Sequence, residues 1–251
     1  MALIHAWRSA GHGRLIGVVN APIRFWDLRY FYNDFDRHRP APNQVAVNSP
    51  ISRGLLEEAG VPPTKIVDVE ALMYQYLNNT LQVGQSSSAD VLILGDFFTQ
   101  ISESVLNIVL PLIKTKFAHC KIFFKPHPAN RNSWDYLAAD GIVVTDLPLS
   151  KLFATCGTVI SPSSSTGAVE AYCANKHVIS IPDPTTLNFS ALKTIKDVQF
   201  ASNSEELALA LENPVNSLSA DNTTFLYFDE SLTKWKKLLW PSYPSDSANI
   251  V

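Results

Sequence analysis

The feature that most limits what this chain can become is a recurrence of short apolar runs, each followed by a stretch of helical periodicity. Runs of this kind at 91–94 (VLIL), 121–124 (KIFF), 141–144 (GIVV), 158–160 (TVI) and 177–181 (HVISI) are too short for helices and too uniformly apolar for strands with one wet face. They predict buried parallel strands. The intervening segments, with helices expected over 102–117, 148–156, 165–174 and 204–211 and a last short strand at 198–200, supply the crossovers that parallel pairing requires. Ser204, Glu205 and Glu206 open the last of these helices with a cap-like pattern. Together they make a complete doubly wound α/β domain over 90–224.

Before it lies a shorter series of the same type. Strands are expected at 15–19, 45–47 and 66–69, with a helix over 50–59 that Gly60 ends. So few parallel strands cannot bury both faces by themselves, so residues 1–82 read as the end of a larger α/β domain whose earlier part is absent. The small polar segment VGQSSSA, 83–89, reads as the linker. Residues 225–251 form a C-terminal helix, 225–240, and a tail.

Composition narrows the function. A net charge of −3 over 251 residues gives no overall attraction for nucleic acid. Cys120, Cys156 and Cys173 fall in no CxxC pattern and read as reduced thiols. The N-terminus lacks the apolar core of a signal peptide, and no run approaches a membrane span of about 20 apolar residues. The sequons at Asn78, Asn188 and Asn222 therefore carry no weight.

Ligands of such sheets bind beyond the carboxyl ends of the strands, which singles out the residues that follow each apolar run. Asp96, beside Gly95, reads either as a site carboxylate or as a helix cap. Lys125-Pro126-His127-Pro128 holds an imidazole between two prolines and next to a cation, a clamp for phosphate or else a simple turn. In Ser161-Pro162-Ser163-Ser164-Ser165-Thr166-Gly167 the hydroxyls and free N–H groups of Ser163, Ser164, Ser165 and Thr166 suit an anion, although one serine would suffice for capping. Glu170 reads as a ribose ligand or a solvent-facing glutamate, and the loop Pro182-Asp183-Pro184 as a wall for a base. Gly11-His12-Gly13-Arg14 precedes its strand and fails as a dinucleotide loop, while Asp34-Phe35-Asp36 matches the DxD of metal-dependent glycosyltransferases without a strand to feed it.

The His-Pro element Lys125-Pro126-His127-Pro128, the serine turn at 161–167 and Glu170 behind it resemble the C-terminal domain of bacterial GT-B enzymes of surface-carbohydrate synthesis. CMP-Kdo-dependent retaining β-Kdo transferases are the nearest match, with polysialyltransferases and teichoic-acid glycerophosphotransferases as relatives. The resemblance extends through Arg24 to Phe31, Val45 to Asn48 and Val69 to Tyr74, so it covers nearly the whole chain. It implies a GT-B-like α/β fold, a complete C-terminal Rossmann-like domain after the end of an N-terminal one. It further implies a CMP-sugar donor, a glycan or lipid-linked glycan acceptor, no metal and no other cofactor. In the roles it assigns, Asp96 is the nucleophile, Lys125, His127 and the hydroxyls of Ser163 to Thr166 hold the phosphate with His127 assisting catalysis, and Glu170 meets the ribose. Glycerophosphate transfer and a nucleotide-binding protein without turnover are the alternatives. The implied location is cytoplasmic, with at most weak peripheral contact with the inner membrane. Trp235-Lys236-Lys237-Leu238-Leu239-Trp240 is accordingly expected to pack on the N-terminal part rather than to anchor in lipid.

Overall fold

Two parallel sheets form from these apolar runs. The computed structural model describes residues 2–23, 41–77, 89–117, 119–130, 132–215 and 225–240. The chain divides into two compact units, one of residues 1–75 with 221–251 and a larger one of residues 76–220.

In the smaller unit, β1 (Ile16–Val19), β2 (Gln44–Val47) and β3 (Ile66–Asp68) pair in parallel in that order. Alternation along β2 decides what each face meets. Val47 joins Val19, Ile66 and Leu56 of helix α2 (Pro50–Glu58) on one side, while Ala46 and Val69 pack with Leu238 and Trp235 on the other. Helix α2 starts where Ser49 accepts the Ser52 N–H at 3.0 Å and Pro50 fills the first helical turn. A helix not expected from sequence, α1 (Ala2–Ser9), precedes β1 and has no buried residue.

The larger unit holds the expected six strands: β4 (Val91–Leu94), β5 (Ile122–Lys125), β6 (Ile142–Val144), β7 (Thr158–Pro162), β8 (His177–Ile181) and β9 (Gln199–Phe200). All pair in parallel in the order β6-β5-β4-β7-β8-β9, so the winding reverses between β4 and β7. Ile93, Phe124, Ile160 and Ile179 of the sheet belong to one core, closed by Leu106 of α3 (Thr99–Val109) and Leu207 of α6 (Ser204–Glu212). Two shorter helices, α4 (Leu149–Thr155) and α5 (Gly167–Cys173), complete the crossovers.

Several helix ends differ from the expectation. Helix α3 begins at Thr99 rather than Ser102, because the Ser102 hydroxyl turns inward to accept the Asp96 N–H at 2.8 Å. It ends at Val109, where Pro111 lies within a 3-10 turn, Leu110–Leu112. Helix α6 is capped by Asn203, whose side chain accepts the Glu206 N–H at 2.9 Å, while Ser204 donates instead to the Ile108 carbonyl. The C-terminal helix α7 spans only Thr233–Leu239, since Leu232 takes a left-handed φ of 54° after a turn in which Asp229 accepts from Ser231.

Candidate functional site

The reversal between β4 and β7 leaves a crevice beyond their carboxyl ends, and the residues following these two strands meet there. Asp96 follows β4; Ser163 and Ser164 follow β7. The Ser164 hydroxyl donates to Asp96 Oδ2 at 2.6 Å, and the Phe98 N–H donates to Oδ1 at 2.9 Å. Asp96 is buried, with 8% of its surface exposed, and its own N–H is held by Ser102. It therefore caps the turn that leads into α3, not the helix itself, and it reaches across the crevice to the serine turn.

The His-Pro loop lies on the other flank of β4. Gly95 permits this, since a Cβ there would stand 3.1 Å from Pro126 Cα and 3.3 Å from the His127 nitrogen. His127 is exposed, with its ring edge-on to Phe97 at 5.7 Å between centroids. Its Nδ1 accepts the Ala129 N–H at 3.2 Å, which leaves Nε2 as the outward donor. Lys125 Nζ donates to the Asp146 carbonyl at 3.4 Å. Asn130 and Asn132, which the sequence reading passed over, lock this loop to its neighbour: Asn130 Nδ2 reaches the Asp96 carbonyl and Asn132 Nδ2 donates to Thr99 Oγ1 at 2.7 Å. Two amides directly after the His-Pro pair were the available signal.

The hydroxyls of the serine turn have separate tasks. Ser165 Oγ accepts the Gly167 N–H at 3.2 Å and serves as the local cap; the Thr166 side chain makes no capping bond. Ser163 is buried, and its N–H donates to the Ile181 carbonyl at 2.9 Å, fixing the turn to β8. Only Ser164 reaches Asp96.

Glu170 is not solvent-facing, and its carboxylate makes no hydrogen bond to these groups, although its N–H donates to the Thr166 carbonyl at 3.3 Å. It is half-buried and accepts from the Tyr76 hydroxyl, a partner that no sequence pattern announced. Burial pushes its carboxyl above the usual range, and the Tyr76 bond partly offsets this. Beside it, burial drives the Cys173 thiol up to about 12, so this cysteine stays protonated and inert. In the loop after β8, Asp183 accepts from the Thr185 N–H and hydroxyl, a self-contained turn. Among the described residues no three His, Cys, Asp or Glu side chains gather as a metal site; Asp34 and Asp36 lie outside the described residues.

An open cavity of about 630 Å³ adjoins the His-Pro loop, lined among others by Lys125, His127, Asn130, Trp134, Val144 and Asp146. No residue of the serine turn lines it. The arrangement thus offers a carboxylate–hydroxyl pair at the switch point, a cationic and imidazole-bearing loop beside it, and a polar recess beyond.

No protein-family model matches the chain, and no curated protein does. Solved structures do match. The UDP-GlcNAc 2-epimerase of Methanocaldococcus jannaschii, in complex with UDP-GlcNAc and UDP, aligns over 97% of this chain and 79% of its own at a TM-score of 0.61 and 13% identity. The Neisseria meningitidis UDP-GlcNAc 2-epimerase bound to UDP-GlcNAc aligns over 90% and 74%, with a TM-score of 0.59 and 14% identity. Acinetobacter baumannii MurG aligns over 88% and 64%, with a TM-score of 0.52 and 14% identity. At such identities the likeness establishes architecture: the chain has an α/β, GT-B-like fold built on Rossmann-like parallel sheets.

Proposed function

We propose that the larger unit holds a CMP-sugar at the β4/β7 switch point and that the chain transfers Kdo or a related ulosonic acid from it to a lipopolysaccharide or capsule acceptor. The observation that carries this reading is the pairing of Asp96 with Ser164 beside the His-Pro loop, a nucleophile-type carboxylate next to phosphate-type donors. That similar folds bind UDP or UDP-GlcNAc supports a nucleotide-sugar as the ligand class.

In this mechanism Lys125 and His127 Nε2 meet the donor phosphate with Ser163, Ser164, Ser165 and Thr166 around it, and Glu170 lies toward the ribose. An Asp96 oxygen attacks the anomeric carbon, and the bond to the phosphate oxygen breaks, leaving CMP with the electron pair. The acceptor hydroxyl then displaces Asp96, losing its proton to water, and the configuration is retained. For attack through Oδ2, Ser164 must first turn its hydroxyl away. Cytoplasmic work at the membrane surface fits this reading, and no helix among the described residues is long and apolar enough to cross a membrane.

One observation favours a binding protein without turnover: both Asp96 oxygens already have donors from the chain itself. Titration of CMP, CDP-glycerol and CMP-Kdo by calorimetry, followed by assay of released CMP, separates the readings. Asp96→Asn is expected to keep CMP affinity while sugar transfer is abolished. Transfer that survives in this variant removes the nucleophile from the proposal, and preference for CDP-glycerol favours glycerophosphate transfer.

A further inference from the structure

The recess beside the His-Pro loop contains more than a phosphate clamp needs. Trp134 is buried, 3% exposed, yet its indole N–H has no acceptor among the described residues. An orphan donor of this kind is costly unless something completes it. The recess also carries two carboxylates. Asp135 Oδ2 is taken by the Ser133 hydroxyl at 2.8 Å, whereas the exposed Asp146 carboxylate has no hydrogen-bond or ion-pair partner among the described residues. Asp146 is nonetheless held near the clamp, because its own carbonyl accepts from Lys125 Nζ at 3.4 Å.

We propose that this cavity seats the base of the nucleotide and that Asp146 selects a base bearing an exocyclic amine. The inference rests on the CMP-sugar reading and adds to it a specificity-determining residue. A phosphate held by Lys125 and His127 brings the attached nucleoside to a recess that those same two residues line, and about 630 Å³ lies in the size range of small-molecule sites. An ionised carboxylate only accepts hydrogen bonds. The cytosine amine donates one; the corresponding oxygen of uracil is another acceptor and faces Asp146 unpaired. Val144 and the prolines offer apolar surface to the ring.

The test is calorimetric titration of CMP and UMP into the full chain, into Asp146→Asn and into His127→Ala. The parent is expected to favour CMP by about tenfold or more, because CMP offers the Asp146 carboxylate a donor where UMP sets a second acceptor against it. Asp146→Asn, whose amide can donate to the uracil oxygen, should bring the two ligands within about threefold, through weaker CMP and stronger UMP binding. A parent that favours UMP, or an Asp146→Asn ratio equal to the parent's, overturns base selection by Asp146. If the ratio is unchanged while His127→Ala still weakens both ligands, the phosphate clamp stands and only the base assignment falls. Absence of binding by either nucleotide overturns the nucleotide reading and this inference together.

Discussion

Asp96 and His127 illustrate how a side chain's partners limit its chemistry. The Ser164 and Phe98 donors fix the Asp96 carboxylate in one orientation, and the Ala129 N–H fixes which imidazole nitrogen of His127 faces out. If Nε2 meets a phosphate, His127→Ala should weaken CMP binding by about 1–3 kcal/mol, the usual loss when a charge-assisted hydrogen bond goes. Because His127 is exposed and ends in a loop, the variant is expected to keep its thermal unfolding midpoint, and equal CMP affinity in variant and parent would reduce the His-Pro element to a turn. The sequence marked both residues through their position after an apolar run. It could not mark the bond between Asp96 and Ser164, whose partners lie 68 positions apart, or the Tyr76 contact to Glu170. Those follow from strand order, which local patterns do not encode.

Among the elements, strands were legible and helix ends were not. A strand such as β4, buried at every position, declares itself by composition alone. Helix boundaries depended instead on single groups: the inward hydroxyl of Ser102, Pro111 in its 3-10 turn, and the left-handed backbone of Leu232. The C-terminal helix α7 shows what such groups are worth. Glu70, 1% exposed, accepts the Lys234 and Trp235 N–H groups at 2.7 and 3.0 Å, while the Trp235 indole donates to the Glu70 carbonyl at 2.8 Å. A carboxylate at the first turn satisfies donors that the helix cannot satisfy itself. Glu70→Ala should therefore cost about 1–3 kcal/mol in urea denaturation, with faster hydrogen exchange at the 234 and 235 amides. Glu70→Gln, which keeps an acceptor, should lose less; equal losses would mean that packing of Trp235 and Leu238, not the carboxylate, holds the helix.

For the molecule as a whole, the alternation of runs was enough to specify a six-stranded parallel sheet and to single out the residues after each strand, whereas the strand order, and with it the crevice between β4 and β7, is a property of the fold. The same sheet makes stability depend on pH. His177 in β8 is buried, its Nε2 pairs with Gln199 Oε1 at 2.5 Å, and burial lowers its pKa below the ordinary value near 6.5. The unfolded chain then binds the proton more readily than the folded one, so His177 contributes stability that is present above about pH 6.5 and is lost as pH falls toward the folded-state pKa. His177→Gln should flatten the fall in unfolding free energy over that interval, and an unchanged slope would show that other groups set it. The opposite end of the sheet is governed by contact distance. At Gly167 a Cβ would come within 2.8 Å of Leu94 Cδ1, so helix α5 rests directly on β4. That contact and the Ser164–Asp96 hydrogen bond at 2.6 Å together tie the serine turn to the end of β4. A methyl group added at Gly167 would be taken up first by rotation of the Leu94 side chain, and only what that rotation cannot absorb would reach the Asp96–Ser164 pair.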